Sequence, residues 1–155
     1  MKVKDFMIHD VITVRKDDSI KHLLNTLVKY KIGGVPVVDL DGKLVGMISD
    51  GDVLRSIKPK DTVVYDFYNL MTYTLEKGKL ENILANLKDE PLFKLAKKQG
   101  LITVKENDEI ETVLNLLAKH HFKKIPVINN DHKVVGVISR GDVIRTIQKN
   151  ILQSL

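Results

Sequence analysis

The chain has 155 residues, of which 43% are hydrophobic, so it is long enough to bury a core as one domain or as two small ones. It has no cysteine, which excludes disulfide frameworks, thiol nucleophiles and cysteine-ligated zinc. It contains no apolar run of membrane-spanning length, and its start, MKVKDFMIHD, is unlike a signal peptide, so we expect a cytoplasmic protein without a membrane partner.

The formal net charge is +5, which favours anionic partners. The lysines are dispersed, as on an ordinary solvated surface, and no basic helix face is interleaved with aromatic residues. Nucleic-acid binding is therefore a secondary hypothesis. A phosphorylated small molecule requires the same sign of charge, so the charge alone does not choose between the two.

The first half changes its hydrophobic period in a fixed order. VITV predicts a short strand, and the apolar residues from Ile20 to Val28 follow the spacing of one helix face, with Asp18 expected as the N-cap. VPVVD and KLVGMIS then predict two strands joined by a turn at Asp41 and Gly42. DGDVLRSI returns to helical spacing, so the order is strand, helix, strand, strand, helix.

The middle of the chain does not repeat in register. VYDFY at 64–68 resembles VKDFM at 3–7, as though a second copy begins there and is then interrupted. Leu80, Ile83, Leu84 and Leu87 share one helix face, and Pro91 and Gly100 suit the start and end of a second short helix. We therefore expect a helical insertion at about 69–99.

The second half repeats the first. Residues 12–57 align with 102–147 at a constant shift and without a gap, and about half of the positions are identical. The second turn, NNDHK, has no glycine but offers Asn129 and Asn130, which tolerate left-handed backbone. The predicted fold class is α/β of the α+β type, with repeats at 1–60 and 61–155 packed through their sheets as a pseudo-two-fold pair.

Each repeat ends on the same polar pattern, Ser49-x-x-Asp52 and Ser139-x-x-Asp142. One interpretation is a capping box, in which the serine and the acid satisfy the first amides of a helix. The other is a ligand site, because a helix start attracts anions and a carboxylate accepts two hydroxyl hydrogens from a sugar diol. Glycine in the first helical turn, at Gly51 and Gly141, indicates a close approach to the backbone, and both interpretations can hold together.

The duplicated pattern, with ITV near each start, VPVV or IPVI in the middle and Gly-apolar-apolar-Ser-x-x-Asp at the end, resembles a pair of CBS domains, also called a Bateman module. The resemblance implies tandem CBS domains that have no catalytic residues and need no cofactor or metal. It implies binding of adenosine-containing ligands such as AMP, ADP, ATP or S-adenosylmethionine in the cleft between the repeats.

The family pattern assigns residues to two clefts, each built from both repeats. In one, Asp142 would hold the ribose hydroxyls and Ser139 the ribose or phosphate, with the base against Thr13 and Val35. The pseudo-symmetric residues of the other cleft are Asp52 and Ser49, which would face Thr103 and Ile125.

The resemblance also implies that the two clefts differ. Phosphate contacts in this family often precede the Pro-containing strand, where Lys123 and Lys124 stand in the second repeat but Gly33 and Gly34 in the first. Arg140 has Asp50 as its counterpart. The cleft with Asp142 should therefore prefer a charged nucleotide. The alternative for the two lysines is ordinary surface charge.

Two other polar groups have simpler interpretations. Arg55 and Arg145 lie three residues after each aspartate, where an intrahelical ion pair is favoured over a ligand contact. The adjacent His120 and His121 point in different directions on a helix, so they do not readily share a metal.

Three functions are compatible with the sequence. The first is a stand-alone adenine-nucleotide sensor that is read by an effector protein, the second an interaction scaffold with degenerate sites, and the third a nucleic-acid-binding CBS protein. The resemblance also implies a homodimer formed through helices. The insertion could cover a cleft, extend that interface or dock an effector.

Overall fold

A computed structural model describes residues 1–58, 61–65, 71–75, 80–119 and 122–155, with 61–65 and 71–75 described by their backbone alone. The strands are β1 (Val14–Arg15), β2 (Gly34–Val38), β3 (Leu44–Ser49), β4 (Asp61–Tyr65), β5 (Met71–Leu75), β6 (Lys124–Ile128) and β7 (Val134–Ser139). The α-helices are α1 (Ile20–Tyr30), α2 (Asp50–Ile57), α3 (Leu80–Leu87), α4 (Ile110–Lys119) and α5 (Arg140–Asn150). Three short 3₁₀ turns cover Val3–Asp5, Leu92–Lys94 and Leu152–Ser154.

The first half contains a three-stranded sheet in the order β1, β2, β3, with β1 parallel and β3 antiparallel to β2. The turn between β2 and β3 is built as the sequence predicts. Gly42 has a φ of +80°, and the Asp39 carboxylate accepts from the amides of Asp41 and Lys43 at 2.9 Å.

The second half repeats this arrangement with β6 antiparallel to β7 and with Val104 bridged in parallel to Val127. In its turn, Asn129 accepts from the amides of Asp131 and Lys133 at 3.0 Å. The left-handed residue is His132, at a φ of +60°, and not an asparagine as the sequence indicated. The backbone position is fixed by the turn, so the residue in the place of Gly42 adopts it.

The start of α1 differs from the prediction. Ser19 is the N-cap, and its hydroxyl accepts from the amide of His22 at 3.1 Å. Asp18 instead accepts from the amide of Arg15 at 2.8 Å, and Asp108 accepts from that of Lys105 at the same distance. Each aspartate closes the tight turn before the helix, so its carboxylate is already engaged one residue before the cap.

Each half has its own hydrophobic core, and each core is completed by a segment from elsewhere in the chain. Val3, Phe6 and Met7 pack into the core of the second half, which includes Val113, Leu117, Ile125, Val127 and Ile138. Leu92 and Ala96 pack into the core of the first half, which includes Val14, Ile20, Leu23, Val35 and Ile48. Segments 2–8 and 91–97 are called the exchanged segments below.

Backbone hydrogen bonds hold the exchanged segments in equivalent places. The residue just before each segment caps a helix: Ile110 N of α4 donates to Met1 O at 3.1 Å, and Ile20 N of α1 donates to Glu90 O at 3.0 Å. The structural counterpart of VKDFM is therefore LFKLA at 92–96. Of VYDFY, where the sequence indicated that the second copy begins, residues 66–68 lie outside the described residues.

The two sheets meet at equivalent points of β3 and β7. Leu44 N donates to His132 O at 3.0 Å, and Val134 N donates to Gly42 O at 3.1 Å, so Lys43 and Lys133 form an antiparallel bridge. The internal repeat maps each of these bonds onto the other and makes Lys43 and Lys133 equivalent. A pseudo-two-fold axis therefore passes between them, and the predicted fold class and pairing of tandem repeats are confirmed.

The insertion is only partly helical. Helix α3 and the 3₁₀ turn at Leu92–Lys94 lie where helices are expected, but β5 pairs antiparallel with β4, from Asp61 opposite Leu75 to Tyr65 opposite Met71. The sequence MTYTL alternates β-branched and aromatic residues, which favours a strand. Residues 69–70 and 76–79 of the insertion, like 66–68, His120 and His121, lie outside the described residues. Within the described part of the chain, no helix is both long and apolar enough to span a bilayer.

Candidate functional site

Ser139 and Asp142 lie where β7 ends and α5 begins. Ser139 is the N-cap, and the Asp142 amide donates to its hydroxyl at 3.2 Å. The Asp142 Oδ2 atom accepts from the Ser139 amide at 2.9 Å and from the Ser139 hydroxyl at 2.5 Å. The capping-box interpretation is therefore correct, and it leaves Asp142 only 6% exposed.

Ser49 and Asp52 repeat this geometry between β3 and α2. The Asp52 Oδ2 atom accepts from the Ser49 amide at 2.9 Å and from the Ser49 hydroxyl at 3.1 Å. The two aspartates thus occupy equivalent positions in the two halves, each in the first turn of a helix that directly follows a strand.

The glycines in the first helical turns leave room for arginines of the same helices. A Cβ atom at Gly141 would lie 3.4 Å from Arg145 Nη1, and one at Gly51 would lie 3.2 Å from Arg55 Nη1. Arg145 Nη2 donates to Asp142 Oδ1 at 2.5 Å, and Arg55 Nη2 donates to Asp52 Oδ1 at 2.6 Å. The close approach that the glycines indicated is therefore made by an arginine, and the predicted intrahelical pairs are present.

Lys124 connects the two halves beside Asp142. Its amino group donates to the carbonyl of Gly34, its pseudo-symmetric counterpart, at 3.1 Å. Burial lowers the pKa of the Lys124 ammonium, and the nearby Asp142 carboxylate partly opposes this effect by favouring the charged form. A half-buried cation from the second half thus lies beside the backbone of the first half. The first half has no such cation, because the residue equivalent to Lys124 is Gly34.

Arg140 and Lys123 occupy different surroundings from Lys124. The Arg140 guanidinium donates to the carbonyl of Leu117 near the end of α4 at 3.0 Å, and its amide donates to the carbonyl of Lys123 at 3.3 Å. In the first half, the Asp50 amide donates to Gly33 O at 2.9 Å. A cation at residue 140 and an anion at residue 50 therefore mark equivalent positions, and the Lys123 side chain is exposed.

The four residues predicted to contact the base differ in how exposed their side chains are. Val35 is 0% exposed and Ile125 is 1% exposed, so both side chains belong to the cores and only their backbone can face a ligand in this conformation. Thr103 is half-buried, and Thr13 is exposed and lines a cavity of about 410 Å³ against α1, together with Val11, Ile12, His22, Asn25, Thr26, Lys29 and Tyr30.

Sequence reasoning missed one site feature, the Gly34 carbonyl that accepts from Lys124. Two signals were present in the chain, a glycine opposite a lysine at equivalent positions and the symmetry that brings such positions together. A second cavity, of about 430 Å³, lies between α1 and α3 and is lined mostly by Ile20, Ile83, Asn86, Leu87 and Leu95. Among the described residues, no group of three acidic, histidine or cysteine side chains is placed to hold a metal ion.

Known proteins resemble this chain over nearly its full length. CBSX1, a chloroplastic CBS domain-containing protein of Arabidopsis thaliana, is 30% identical over 150 residues, which are 88% of this chain and 58% of that protein. Inosine-5′-monophosphate dehydrogenase of Aquifex aeolicus is 28% identical over 144 residues, and there the chain spans only 24% of the relative's length.

Solved structures support the same assignment. CBSX2 of Arabidopsis thaliana superposes with a TM-score of 0.73 at 26% identity, covering 96% of this chain and 94% of that one. A further structure of CBSX2, in complex with AMP, gives a TM-score of 0.71 at 25% identity and covers 96% of both chains. The family model of the CBS domain matches residues 3–59 and 96–149. The chain therefore belongs to the CBS domain family and carries the domain as a pair.

Proposed function

We propose that the chain is a non-catalytic regulatory module that binds an adenosine-containing ligand in the cleft between its two repeats. The observation that carries this proposal is the position of Lys124, whose amino group reaches Gly34 of the other half while it interacts with Asp142. The Lys124 ammonium, a carboxylate that can accept from a sugar diol, and the backbone of Gly34 then lie together, and a nucleoside phosphate requires groups of these kinds. The AMP complex of CBSX2, a relative of the same fold, supports this ligand class.

The proposed ligand contacts follow from these positions. Asp142 and Ser139 would bind the ribose, and Lys124 would bind the phosphate, because its partly desolvated ammonium gains most from an anion. Arg140 and Lys123 would add positive charge from the rim. The segment of Thr13 and the backbone before Val35 would face the base.

The pseudo-symmetric cleft around Asp52 would take a less charged ligand or remain without one. It has Asp52 and Ser49 for a ribose, with Thr103 and the backbone near Ile125 on the opposite side. In place of Lys124 and Arg140 it presents Gly34 and Asp50, and a carboxylate repels phosphate. An uncharged or cationic adenosine derivative fits this set of residues better than a nucleotide.

The regulatory step would be a change in the relative orientation of the two halves. Lys124 joins the halves through one carbonyl, so a phosphate that draws the ammonium away from Gly34 alters that joint. Such a change shifts a population that an effector protein can read.

Isothermal titration of AMP tests the proposal. We expect Lys124→Gln to weaken AMP by about tenfold, because a charge-assisted hydrogen bond is lost, and to change adenosine affinity by less than about twofold. The matched control is Lys123→Gln, which removes an exposed lysine of equal charge and should cost about threefold or less for AMP.

Three outcomes would contradict the proposal or part of it. Folded wild-type protein that gives no heat with AMP, ATP or S-adenosylmethionine would exclude the sensor and favour an interaction scaffold. Tight, salt-sensitive binding of DNA or RNA would favour the nucleic-acid hypothesis. Equal loss of AMP and adenosine affinity in Lys124→Gln would show that Lys124 does not bind the phosphate.

A further inference from the structure

The hydrogen bonds at Asp142 nearly use up its capacity to accept. A carboxylate offers about four acceptor positions. The amide and hydroxyl of Ser139 occupy two of them on Oδ2, and the guanidinium of Arg145 occupies one on Oδ1. A ribose diol donates two hydrogens, so one of the three present donors has to leave before both hydroxyls can bind.

Arg145 is the donor that leaves most easily. Ser139 is fixed from two sides, because its hydroxyl also accepts from the Asp142 amide and its own amide belongs to the junction of β7 and α5. The Arg145 side chain is 67% exposed, so its guanidinium regains water when it moves away. The carboxylate that it leaves is only 6% exposed, and the hydroxyls of the ligand's diol replace the donor that this buried group loses.

We infer that Arg145 is a placeholder cation: its guanidinium occupies the ribose-binding oxygen of Asp142 until the diol of a ligand displaces it. The inference rests on the proposed function, since it concerns the same carboxylate. It adds a specificity determinant, because a ligand with two vicinal hydroxyls displaces the guanidinium whereas a ligand with one hydroxyl leaves it in place.

The same arrangement of donors around an aspartate is present in the first half. Ser49 supplies two donors to Oδ2 of Asp52, and Arg55 supplies one to Oδ1. The side chain of Asp52 is 20% exposed and that of Asp142 is 7% exposed, so the pair of Asp142 and Arg145 is the more deeply buried of the two. We therefore expect the same displacement in both clefts, with the more deeply buried carboxylate in the cleft that carries Lys124.

Titration of adenosine and 2′-deoxyadenosine tests this inference. All proteins carry Asp52→Asn, so that the heat reports the Asp142 cleft. We expect Arg145→Ala to lower the Kd for adenosine by about two- to fivefold and to leave 2′-deoxyadenosine within about 1.5-fold, because only the diol competes with the guanidinium. In the protein that retains Arg145, raising NaCl should strengthen adenosine binding by weakening the ion pair, and Arg145→Ala should abolish this response.

The controls separate a placeholder from other roles. Lys149→Ala removes an equal charge from the last turn of the same helix and should leave both ligands unchanged. Weaker adenosine binding in Arg145→Ala would overturn the inference and identify a residue that positions the carboxylate. A gain in Ser139→Ala without one in Arg145→Ala would overturn it in favour of serine as the displaced donor.

Failure of the proposed function gives a different result. If neither nucleoside nor AMP binds the wild type or Arg145→Ala, the proposed function fails. Arg145 is then a structural partner of Asp142 only, and the inference fails with it. If the wild type binds AMP and Arg145→Ala shows no gain for adenosine, the function stands and the inference alone is overturned.

Discussion

Lys124 combines a stability cost with a proposed binding role. Its ammonium has one backbone carbonyl and one nearby carboxylate as compensation, and burial still lowers its pKa. A group whose charged form is disfavoured by desolvation destabilises the folded state at neutral pH. The other repeat has glycine at the equivalent position, so a costly lysine here favours a functional requirement for its charge.

Lys124→Gln should therefore leave the free energy of unfolding at pH 7 unchanged or slightly higher. Because unfolded lysine keeps its proton to a higher pH than Lys124 does, the unfolded state binds more protons between the two pKa values, and the wild type should gain stability there as the pH rises. Urea unfolding of both proteins at pH 7 and pH 9.5, with Lys123→Gln as the exposed control, measures this. A loss of more than about 1 kcal/mol for Lys124→Gln at pH 7 would contradict the desolvation argument.

Gly136 is required for space and not for an unusual backbone conformation. A Cβ atom there would lie 2.5 Å from Met7 Sδ and 3.2 Å from the carbonyl of Ile8, the residue that bridges to Val137. The exchanged segment 2–8 therefore passes directly over this strand position.

Gly136→Ala should destabilise the protein by about 1–3 kcal/mol, since Met7 or the strand has to move. Gly141→Ala is the matched control, because its Cβ would make only ordinary contacts, with the flexible end of Arg145 and the Ser139 hydroxyl, and alanine is the better helix former. Thermal unfolding of the two variants compares them. Equal stability would show that segment 2–8 packs less closely than described.

At the scale of elements, the exchanged segments join the two halves. Val3 and Leu92 are each 0% exposed in a core built mostly by residues far away in sequence. The residue just before each segment also supplies the carbonyl that caps a helix of that core. Neither half is therefore complete within one continuous stretch of chain.

Leu92→Ala should cost about 2–5 kcal/mol of unfolding free energy, as expected for a leucine removed from a closed core. Leu80→Ala is the control, because Leu80 is half-exposed on α3 and its loss should cost less than about 1 kcal/mol. Urea denaturation followed by circular dichroism provides both values. A small effect at Leu92 would mean that segment 91–97 is not part of the first core.

At the scale of the whole molecule, the helices expose apolar side chains that their own cores do not use. Leu54 on α2 is 62% exposed, and Ile144, the equivalent residue on α5, is 65% exposed. Val28 on α1 and Leu114 on α4 are exposed as well. Apolar residues repeated at symmetric positions favour a self-association surface, and we retain the homodimer as a proposal on this basis.

Leu54→Glu combined with Ile144→Glu should shift the protein to monomers in sedimentation-velocity experiments, because two charges would be buried at the proposed interface. Leu40→Glu is the control, since Leu40 is even more exposed but lies in the turn after β2. A wild type that is monomeric at all concentrations, or a double variant that remains dimeric, would contradict this placement.

The sequence alone determined the duplication, the order of elements in each repeat and the position of both Ser-x-x-Asp motifs. Local rules suffice there, because strand and helix periods, turn residues and a constant shift between copies are properties of neighbouring residues. Tertiary structure decided what depends on distant parts of the chain. It placed segments 2–8 and 91–97 in opposite cores, brought Lys124 to Gly34, and buried Val35 and Ile125.

The first helical turns show this division most clearly. The motif predicted a cap, a ligand site or both, and the glycines indicated that some group approaches the backbone. Only the side-chain geometry identified that group as Arg145 or Arg55, because rotamer choice depends on every donor and acceptor around the carboxylate and not on spacing alone.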